Sequence, residues 1–454
     1  MNLRNKKVLM MGLGILGGGV ATAEWLLEQG VDLTITDLKN RGQLASSFSA
    51  LSKFKDKIKF VLGEHREKDF LNNEIIVINP DVSINNKFVQ LAIKNGKQIE
   101  NELTLFLKFC PSKNIIAVTG TRGKTTTVNW IYHLLKSEYS DIILAGNSST
   151  NPFLGMLSRC TGESRVVLEV PSYQLELLGV EDFKYAPKVA VVTNVSQDHL
   201  NRHGNLENYA KTKANIFKNQ RQSDFLILNK DNKWTDFFVS LKPKSKILYF
   251  SKNDWDKNLA DKKEFKDKWG EHNILNLNAS ILVAEVMEID KETIKKAIKT
   301  LPQIKFRQEK VYDNEEFCIY NDSAATSPEA TITAIERFKN NGNLILITGG
   351  TDRELNFSEW AKAVKENISL DNLVLLSGSA TEKMKNQLQA LSSKLKEFNT
   401  LEECLKLALD KARKNDDKSV ILFSPSSKSF EKFKNEYDRG EKFNLLIKKL
   451  LKQG

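Results

Sequence analysis

Short apolar runs that end in Gly, Asn, Asp or Ser recur along the whole chain, and helical patterns separate them. The runs are KVLMMG, LTIT, EIIVIN, NIIAVTG, DIILAG, RVVLEV, VAVVTN, FLILN, KILYFS, LILITGG, LVLLSG and SVILFS. Their β-branched residues and polar ends predict parallel strands that are buried on both faces. Alternating strands and helices of this kind predict open α/β sheets, in which ligands bind beyond the carboxyl ends of the strands.

The length of 454 residues exceeds what a single hydrophobic core usually supports, so we expect several domains. Breaks are predicted near Cys110-Pro111-Ser112 and near Pro302-Gln303. They divide the chain into three α/β domains: a Rossmann-like domain over 1–110, a P-loop ATPase-like domain over 111–303, and a second Rossmann-like domain over 304–454.

The net charge of +11 and the pI near 9.1 would suit a nucleic-acid ligand. However, the lysines are scattered over amphipathic stretches such as DKETIKKAIKTL and form no basic arm. This pattern favours a solvated surface that attracts small phosphorylated substrates, and we expect no nucleic-acid partner.

The cysteines and the N-terminus indicate the compartment. Cys110, Cys160, Cys318 and Cys404 show no C-x-x-C spacing, which favours a reducing environment over a disulfide framework or a zinc site. The apolar N-terminal stretch is interpreted as a strand, a glycine turn and a helix rather than a signal peptide. No run reaches the roughly 18 apolar residues that a membrane span needs. We therefore expect a cytoplasmic protein without membrane insertion.

The first glycine-rich loop has the pattern Gly12-x-Gly14-x-x-Gly17 between a predicted strand and a predicted helix, and Asp37 ends the next strand. This spacing is typical of a dinucleotide-binding turn, in which backbone N–H groups approach a pyrophosphate. A glycine turn without a ligand is the simpler alternative. A nicotinamide-dependent dehydrogenase is another, but it needs a catalytic partner domain that no later segment resembles.

The second glycine-rich loop, GTRGKT at 120–125, is a shortened relative of the P-loop, with two residues rather than four between its glycines. In such a loop backbone N–H groups hold phosphates, Lys124 reaches the β- and γ-phosphate oxygens, and the Thr125 hydroxyl ligates Mg²⁺. A coincidental Gly-Lys-Thr is disfavoured because the loop lies directly between IIAV and the helical TTTVNWIYHLL. We predict an ATP site here and a different ligand at the first loop.

Further polar residues follow predicted strands of the central domain. They are Glu169, Asp198, His199, Lys211 and Lys213. Each alone has an ordinary structural explanation, such as an ion pair, a helix cap or a solvated lysine. Together behind a P-loop they indicate Mg²⁺ ligands and groups that handle a second substrate, as phosphoryl transfer requires.

The ordered motifs of the chain resemble those of the Mur ligase family, and among its members the glutamate-adding enzymes. The segments that carry the resemblance are TGTRGKTTT, TNVSQDHLNRHG, YAKTKANIF, GEHNILNLNAS, YNDSAATSPEAT, GGTDRE and SPSSKSFEKFKNEYDRG. The resemblance runs through all three predicted domains. It implies ATP-dependent formation of an amide bond between glutamate, with D-glutamate favoured, and UDP-N-acetylmuramoyl-L-alanine, in peptidoglycan precursor synthesis.

The resemblance also implies roles for individual residues. The UDP-sugar would lie by Gly14, Ile15, Leu16, Asp37, Asn147 and His199. ATP would lie by Gly120, Thr121, Arg122, Gly123, Lys124, Thr125, Thr126, Asn273, Asn276, Arg307 and Asp322. Glutamate would lie by Thr326, Arg353 and Ser429. Two Mg²⁺ ions would be held by Thr125, Glu169, His199 and Lys213, the lysine as a carbamate. The residues at the centre of catalysis would be Lys124, Glu169, His199 and Lys213.

The resemblance further implies an acyl-phosphate mechanism in a monomer. The alanyl carboxylate would attack the γ-phosphate of ATP, and the glutamate amine would then displace phosphate. Cations at the site would screen the repulsion between the two anions.

The chain departs from the family pattern around the expected amino-acid pocket. Ala324 replaces the lysine of NDSKAT, the SPACAS motif reads SPSSKS at 424–429, and Glu436 stands where an aromatic residue is usual, with Tyr437 beside it. The approach to the third domain, Gly-Leu-x-His-Arg in the family, carries Phe306 before Arg307, and the SPG of the first domain is Asn79-Pro80-Asp81. L-glutamate is therefore an alternative substrate, and a folylpolyglutamate-type ligase is an alternative enzyme. The latter lacks an N-terminal glycine-fingerprint domain of this type.

Overall fold

The computed structural model describes residues 2–15, 17–146, 150–180, 183–388 and 395–452. The chain forms two compact units. Unit 1 comprises Met1–Trp269 and Asn273–Leu301, and unit 2 comprises Gly270–His272 and Pro302–Gly454. No helix in the described ranges is both long enough and apolar enough to cross a lipid bilayer.

The first sheet of unit 1 is built from the N-terminal hundred residues. Its strands are β1 Lys7–Met11, β2 Asp32–Asp37, β3 Ile58–Leu62, β4 Ile75–Ile78 and β5 Gln98–Glu100. Its helices are α1 Gly18–Glu28, α2 Ala45–Ala50, α3 Glu67–Asn72, α4 Lys87–Lys94 and α5 Glu102–Phe109, with a 3₁₀ helix at Ser52–Lys57. All pairs are parallel, in the order β3-β2-β1-β4-β5. The apolar β1 lies at the centre, so both of its faces are buried.

The second sheet of unit 1 follows directly. Its strands are β6 Asn114–Thr119, β7 Ile142–Gly146, β8 Arg165–Glu169, β9 Val189–Val192, β10 Phe225–Asn229 and β11 Lys246–Phe250. Its helices are α6 Lys124–Lys136, α7 Phe153–Leu157, α8 Ser172–Leu175, α9 Leu200–His203, α10 Leu206–Ala214, α11 Thr235–Ser240, α12 Lys262–Trp269, α13 Asn273–Val286 and α14 Lys291–Lys299, with a 3₁₀ helix at Glu176–Gly179. The strands are all parallel, in the order β11-β10-β9-β6-β8-β7.

One hydrophobic core joins the two sheets of unit 1. It runs from Leu26 and Phe106 beside the first sheet to Phe153 and Val166 of the second. The rings of Phe106 on α5 and Phe153 on α7 lie 6.1 Å apart in an edge arrangement. Because aromatic side chains bury large apolar areas, this contact fixes α5 against the central sheet. The two sheets therefore belong to one compact body.

Unit 2 contains the third sheet. Its strands are β12 Glu309–Asp313, β13 Phe317–Asn321, β14 Asn343–Thr348, β15 Leu373–Leu376, β16 Lys396–Phe398 and β17 Ser419–Phe423. Its helices are α15 Pro328–Phe338, α16 Ser358–Asn367, α17 Ser379–Leu388, α18 Leu401–Arg413 and α19 Glu436–Lys452, with a 3₁₀ helix at Leu370–Asn372. The order is β12-β13-β17-β14-β15-β16, and only the pair of β12 with β13 is antiparallel.

The prediction of three α/β sheets is confirmed, and every apolar run singled out in the sequence contains a strand. The apolar pattern of the sequence did not reveal five further strands, β3, β5, β12, β13 and β16. The domain boundaries at residues 110 and 303 stay predictions.

Candidate active site

The first glycine loop connects β1 to α1 and is shaped by the carboxylate of Asp37. Asp37 Oδ2 accepts hydrogen bonds from the backbone nitrogens of Leu13, at 2.9 Å, and Gly14, at 3.1 Å. Gly14 has a φ of 63°, a conformation that glycine adopts without strain. Ile15 is 47% exposed on this loop, whereas Leu16 lies outside the described residues. Asp37 and the loop are thus brought together as predicted, and their ligand stays a prediction.

The second glycine loop joins β6 to α6 at the carboxyl end of the central sheet. Gly120 has a φ of 149° and Gly123 a φ of 83°. A Cβ at Gly120 would collide with the Thr193 hydroxyl, and a Cβ at Gly123 would collide with the Asn276 side-chain oxygen. These two positions therefore require glycine for both conformation and space.

The segment after β9 holds this loop in place. Thr121 N donates to the backbone oxygen of Asn194, and Arg122 N donates to Asn194 Oδ1, both at 2.9 Å. In return, Thr193 Oγ1 donates to the Arg122 carbonyl at 2.6 Å. The sequence alone predicted no role for Thr193 and Asn194. Their position directly after a buried strand is the signal that could have identified them.

Two lysines converge on one carbonyl of the loop. Lys124 Nζ donates to the oxygens of Gly120, at 2.8 Å, and Thr121, at 3.1 Å. Lys213 Nζ donates to the same Gly120 oxygen at 2.9 Å and lies over the Tyr209 ring, 4.3 Å from its centroid.

The Lys213 side chain is enclosed by the protein. It is 1% exposed, and burial followed by the charge of Lys124 lowers its pKa well below the usual range, with Asp198 partly opposing the shift. The lowered pKa favours the unprotonated form of this amine, which is the nucleophilic one.

A hydroxyl and a carboxylate meet beside the loop. Thr125 Oγ1 donates to Glu169 Oε1 at 3.0 Å, and Glu169 ends the strand next to the one that precedes the loop. Oxygen donors of this kind fit Mg²⁺, which proteins usually bind through one or two carboxylates together with substrate phosphates. In the described ranges no group of three His, Cys, Asp or Glu residues could hold a metal alone.

His199 begins the short helix α9 with a φ of 53°. Its side chain is 47% exposed, and its Nε2 lies 3.7 Å from Asp198 Oδ2. The neighbouring His203 is buried, with its Nε2 3.0 Å from the Ser172 hydroxyl, and burial lowers its pKa to about 4. His203 was not singled out in the sequence because its burial depends on Tyr209, whose ring lies 5.0 Å away.

Arg202 connects the segment after β9 to the first sheet. Its guanidinium pairs with Glu176 through bonds of 2.6 and 2.9 Å. It also donates to the backbone oxygens of Pro80, at 2.7 Å, and Val82, at 3.0 Å. This buried pair was also missed, because nothing in the sequence relates positions so far apart.

The two asparagines predicted near ATP lie on α13. Asn276 Nδ2 donates to Asn273 Oδ1 at 2.7 Å, and Thr127 Oγ1 donates to Asn276 Oδ1 at 3.3 Å. Asn276 is thereby held against the loop at Gly123. Thr126 is buried at the start of α6. Asn147 lies outside the described residues.

Asp322 and Arg307, also predicted near ATP, lie in unit 2. Asp322 is buried, and its carboxylate accepts bonds from Gln308 N at 3.1 Å and Ser424 Oγ at 2.8 Å. Burial raises the pKa of Asp322 to about 7, although both hydrogen bonds act in the opposite direction. Arg307 is exposed between Phe306 and Gln308, whose φ values of 61° and 47° are rare for residues other than glycine.

The residues predicted to bind glutamate surround the ends of β13, β14 and β17. Thr326 is partly buried, and Arg353 is exposed with its guanidinium 5.0 Å from the Phe430 ring centroid. Ser429 is buried, and its hydroxyl has no hydrogen-bond partner among the described residues. Ala324 N donates to the Phe306 oxygen at 2.9 Å, so the departures at these two positions are neighbours.

Comparison with known proteins identifies the family. The family models that match are the Mur ligase MurD-like N-terminal domain at 6–101, the Mur ligase middle domain at 118–287 and the Mur ligase glutamate ligase domain at 306–427. The UDP-N-acetylmuramoylalanine–D-glutamate ligase of Borreliella afzelii is 36% identical over 98% of both chains. The enzyme of the same name from Roseiflexus is 34% identical over 98% of this chain and 99% of its own. The chain belongs to the Mur ligase family.

Solved structures of Mur ligases share the fold. UDP-N-acetylmuramate–alanine ligase of Thermotoga maritima superposes with a TM-score of 0.61 at 18% identity, covering 99% of this chain and 100% of that one. The MurF ligase of the same organism, solved with ADP, gives a TM-score of 0.55 at 18% identity, covering 99% and 96%. This Mur ligase is an enzyme, and it is ATP-dependent as its family is. The predicted resemblance is thereby confirmed.

Proposed function

We propose that this Mur ligase joins glutamate to UDP-N-acetylmuramoyl-L-alanine, with D-glutamate as the favoured substrate, in the synthesis of peptidoglycan precursors. The arrangement of Lys124, Lys213, Thr125 and Glu169 around one glycine loop carries the proposal, because phosphoryl transfer depends chiefly on positioning and charge neutralisation. Near full-length similarity to ligases named for D-glutamate supports the choice of substrate. The MurD-like N-terminal match favours it over a folylpolyglutamate-type ligase.

In the first step the alanyl carboxylate attacks the γ-phosphorus of ATP, and ADP leaves. The N–H groups of Thr121 and Arg122 bond to Asn194, so the loop backbone from Gly123 onward is proposed to face the phosphates, and the Lys124 ammonium to screen their charge. Mg²⁺ held by Thr125 and Glu169 would neutralise further phosphate charge. The product is an acyl phosphate, in which phosphate has become a good leaving group. A carboxylate has no such leaving group, which is why activation must come first.

In the second step the glutamate amine attacks the acyl carbon, and phosphate leaves from a tetrahedral intermediate. The glutamate is proposed to bind through Thr326, Arg353 and Ser429. Arg307 and Asp322 stay predicted nucleotide-binding residues of unit 2. The UDP end of the other substrate is proposed to bind at Gly14, Ile15 and Asp37, with Leu16 and Asn147 as further candidates. His199 is proposed to contact both the bound Mg²⁺ and the sugar nucleotide.

We propose further that Lys213 reacts with CO₂ to form a carbamate. The neutral Nζ adds to the carbon of CO₂ and loses one proton, so the side chain changes from an amine to an anion. Its lowered pKa supports the reaction, since only the unprotonated amine is a nucleophile. The carbamate would be an oxygen donor for a second Mg²⁺. The monomeric state and the cytoplasmic location stay predictions.

The test is release of phosphate from ATP by the purified enzyme with Mg²⁺ and UDP-N-acetylmuramoyl-L-alanine. The assay is run with D-glutamate, with L-glutamate and without an amino acid, and the product is identified by mass. We expect turnover with D-glutamate. We expect the Lys124→Met variant to be inactive. Turnover with L-glutamate alone would correct the stereochemistry and point to the departures near Ala324. No turnover with either isomer would refute the proposed substrate.

A further inference from the structure

The residues that we propose for the sugar nucleotide lie at two separate places in unit 1. Gly14 and Asp37 meet at the first glycine loop, beside the first sheet, whereas His199 follows β9 of the second sheet. A substrate that reaches both places must span the distance between them, and covalent bonds limit its length. The contacts that keep these two places at a fixed separation therefore bear on substrate binding.

The side chain of Arg202 makes such a contact. Its guanidinium donates to the carboxylate of Glu176 at 2.6 and 2.9 Å and to the carbonyls of Pro80 and Val82 at 2.7 and 3.0 Å. The two carbonyls belong to the loop after β4 of the first sheet, and Glu176 begins the 3₁₀ helix that follows α8. Because a guanidinium presents its donors in a rigid plane, these four bonds fix both its position and its orientation.

The backbone of Arg202 belongs to the turn that carries His199. Arg202 N donates to the His199 carbonyl at 3.0 Å, and the helix α9 that contains Arg202 has only four residues. So short a helix has little stability of its own and depends on its contacts. The Tyr173 ring lies 5.6 Å from the Arg202 guanidinium and 6.3 Å from the His199 ring. Anchoring Arg202 therefore orients His199.

The loop after β4 is bonded in turn to the first glycine loop. Asn79 Nδ2 donates to the Gly12 carbonyl at 3.2 Å, and a Cβ at Gly12 would lie only 2.8 Å from the Cβ of Asn79. Val82 N donates to the Asn79 carbonyl at 2.8 Å, which closes the turn that Arg202 holds. A continuous series of contacts thus runs from the glycine loop through Arg202 to His199.

We propose that Arg202 is a positioning residue that sets the separation between the site for the UDP end of the sugar nucleotide and the site for its reacting end. It acts through His199 on one side and through the loop after β4 on the other. The inference rests on the proposed function and extends it, because the sequence predicted no role for Arg202. A ligand that engages both places depends on their separation, whereas a ligand that engages one place does not.

The test compares Arg202→Met and Arg202→Lys with the wild-type enzyme in the phosphate-release assay. UDP-N-acetylmuramoyl-L-alanine is varied at saturating ATP and D-glutamate, and UDP alone is titrated as its competitor. We expect the KM for the full substrate to rise about 10- to 100-fold in Arg202→Met, and less in Arg202→Lys. The inhibition constant of UDP and the KM for ATP are expected to stay within about twofold. Arg221→Met, which removes an exposed arginine elsewhere in unit 1, is the control and should leave every constant unchanged.

A purely structural role for Arg202 predicts a different pattern. The active fraction would then fall while the KM for the full substrate stayed at its wild-type value, or the constants for UDP and for the full substrate would rise together. Either pattern would overturn the proposal. The melting temperature does not discriminate, since loss of a buried ion pair lowers stability in both cases.

Glu176→Gln decides if neither arginine variant folds, because it weakens the anchor of Arg202 and leaves the arginine in place. A rise of about 3- to 10-fold in the KM for the full substrate, with an unchanged constant for UDP, supports the proposal. An unchanged KM overturns it. Absence of turnover by the wild-type enzyme would instead refute the proposed function, and with it this role of Arg202.

Discussion

Lys124 and Lys213 donate hydrogen bonds to the same carbonyl oxygen, that of Gly120, at 2.8 and 2.9 Å. Lys124 lies on the loop and is only partly buried, whereas Lys213 is enclosed by the protein. Two positive charges at one acceptor repel each other, and the more deeply buried amine is the one that loses its proton more easily. The arrangement therefore places one lysine beside a second lysine whose unprotonated form is favoured by burial.

Lys213→Ala is expected to lower the rate of phosphate release at least about 100-fold, because an anionic oxygen ligand would be lost from the site. Acetate or formate should restore part of the activity of this variant by supplying a carboxylate in the cavity. The control is Lys211→Ala on the same helix, where the exposed lysine pairs with Glu207 at 2.6 Å. If Lys213→Ala retained full activity, or if no small acid rescued an inactive but folded variant, the carbamate role would be wrong.

Thr125→Val and Glu169→Gln are each expected to raise the Mg²⁺ concentration for half-maximal activity by about 10- to 100-fold. The reason is that each change removes one oxygen donor from the pair at 3.0 Å. Activity is measured against Mg²⁺ at saturating ATP, with Lys136→Ala, an exposed residue in the last turn of α6, as the control. A lower rate with an unchanged Mg²⁺ requirement would contradict the assignment of a metal site to this pair.

The pair of Arg202 and Glu176 is expected to stabilise unit 1. Both side chains are largely buried. Arg202 also donates hydrogen bonds to two backbone carbonyls in the loop that follows β4. We expect a coupling free energy of about 1–3 kcal/mol from a double-mutant cycle of Arg202→Met and Glu176→Gln. Urea denaturation of the four proteins gives the value. A coupling below about 0.5 kcal/mol would mean that the carbonyl contacts of Arg202, not its ion pair, carry the stabilisation.

His203 should make the folded protein less stable in mild acid. Its pKa is about 4 in the fold, below the ordinary value of 6.5. As the pH falls through 6.5 toward 4, the unfolded chain binds a proton at this position that the folded chain does not, so stability declines in that window. His203→Gln, which keeps a side chain able to bond Ser172, should reduce the slope of melting temperature against pH. An identical slope in both proteins would show that His203 titrates normally.

The strands that the sequence did not reveal are mostly edge strands. β3 and β5 border the first sheet, and β12 and β16 border the third. An edge strand packs on fewer sides, so charged residues such as those of EKVYD and KEF are tolerated there and the apolar signal weakens. The internal strand β13, FCIYN, is an exception, because its buried asparagine and flanking acidic residues obscured it.

The site was predictable where a motif is local and not where it depends on packing. The loop from Gly120 to Thr125 and its approach to Glu169 followed from spacing and strand order. The burial of His203 did not, because Ser172 and Tyr209, which lie against it, come from separate helices. The cysteines show the same limit: Cys110 and Cys160 are far apart in sequence, yet in the fold the neighbouring Cys110 raises the pKa of the Cys160 thiol.

The crowding of the second glycine-rich loop by neighbouring side chains has a consequence for inhibitor design. Side chains at Gly120 and Gly123 would collide with Thr193 and Asn276, so the enzyme has few ways to alter the shape of this wall and remain folded. A compound that draws its affinity from backbone atoms of the loop contacts atoms that no side-chain substitution removes. Resistance to such a compound would have to arise elsewhere in the pocket, which makes the loop backbone the more durable target.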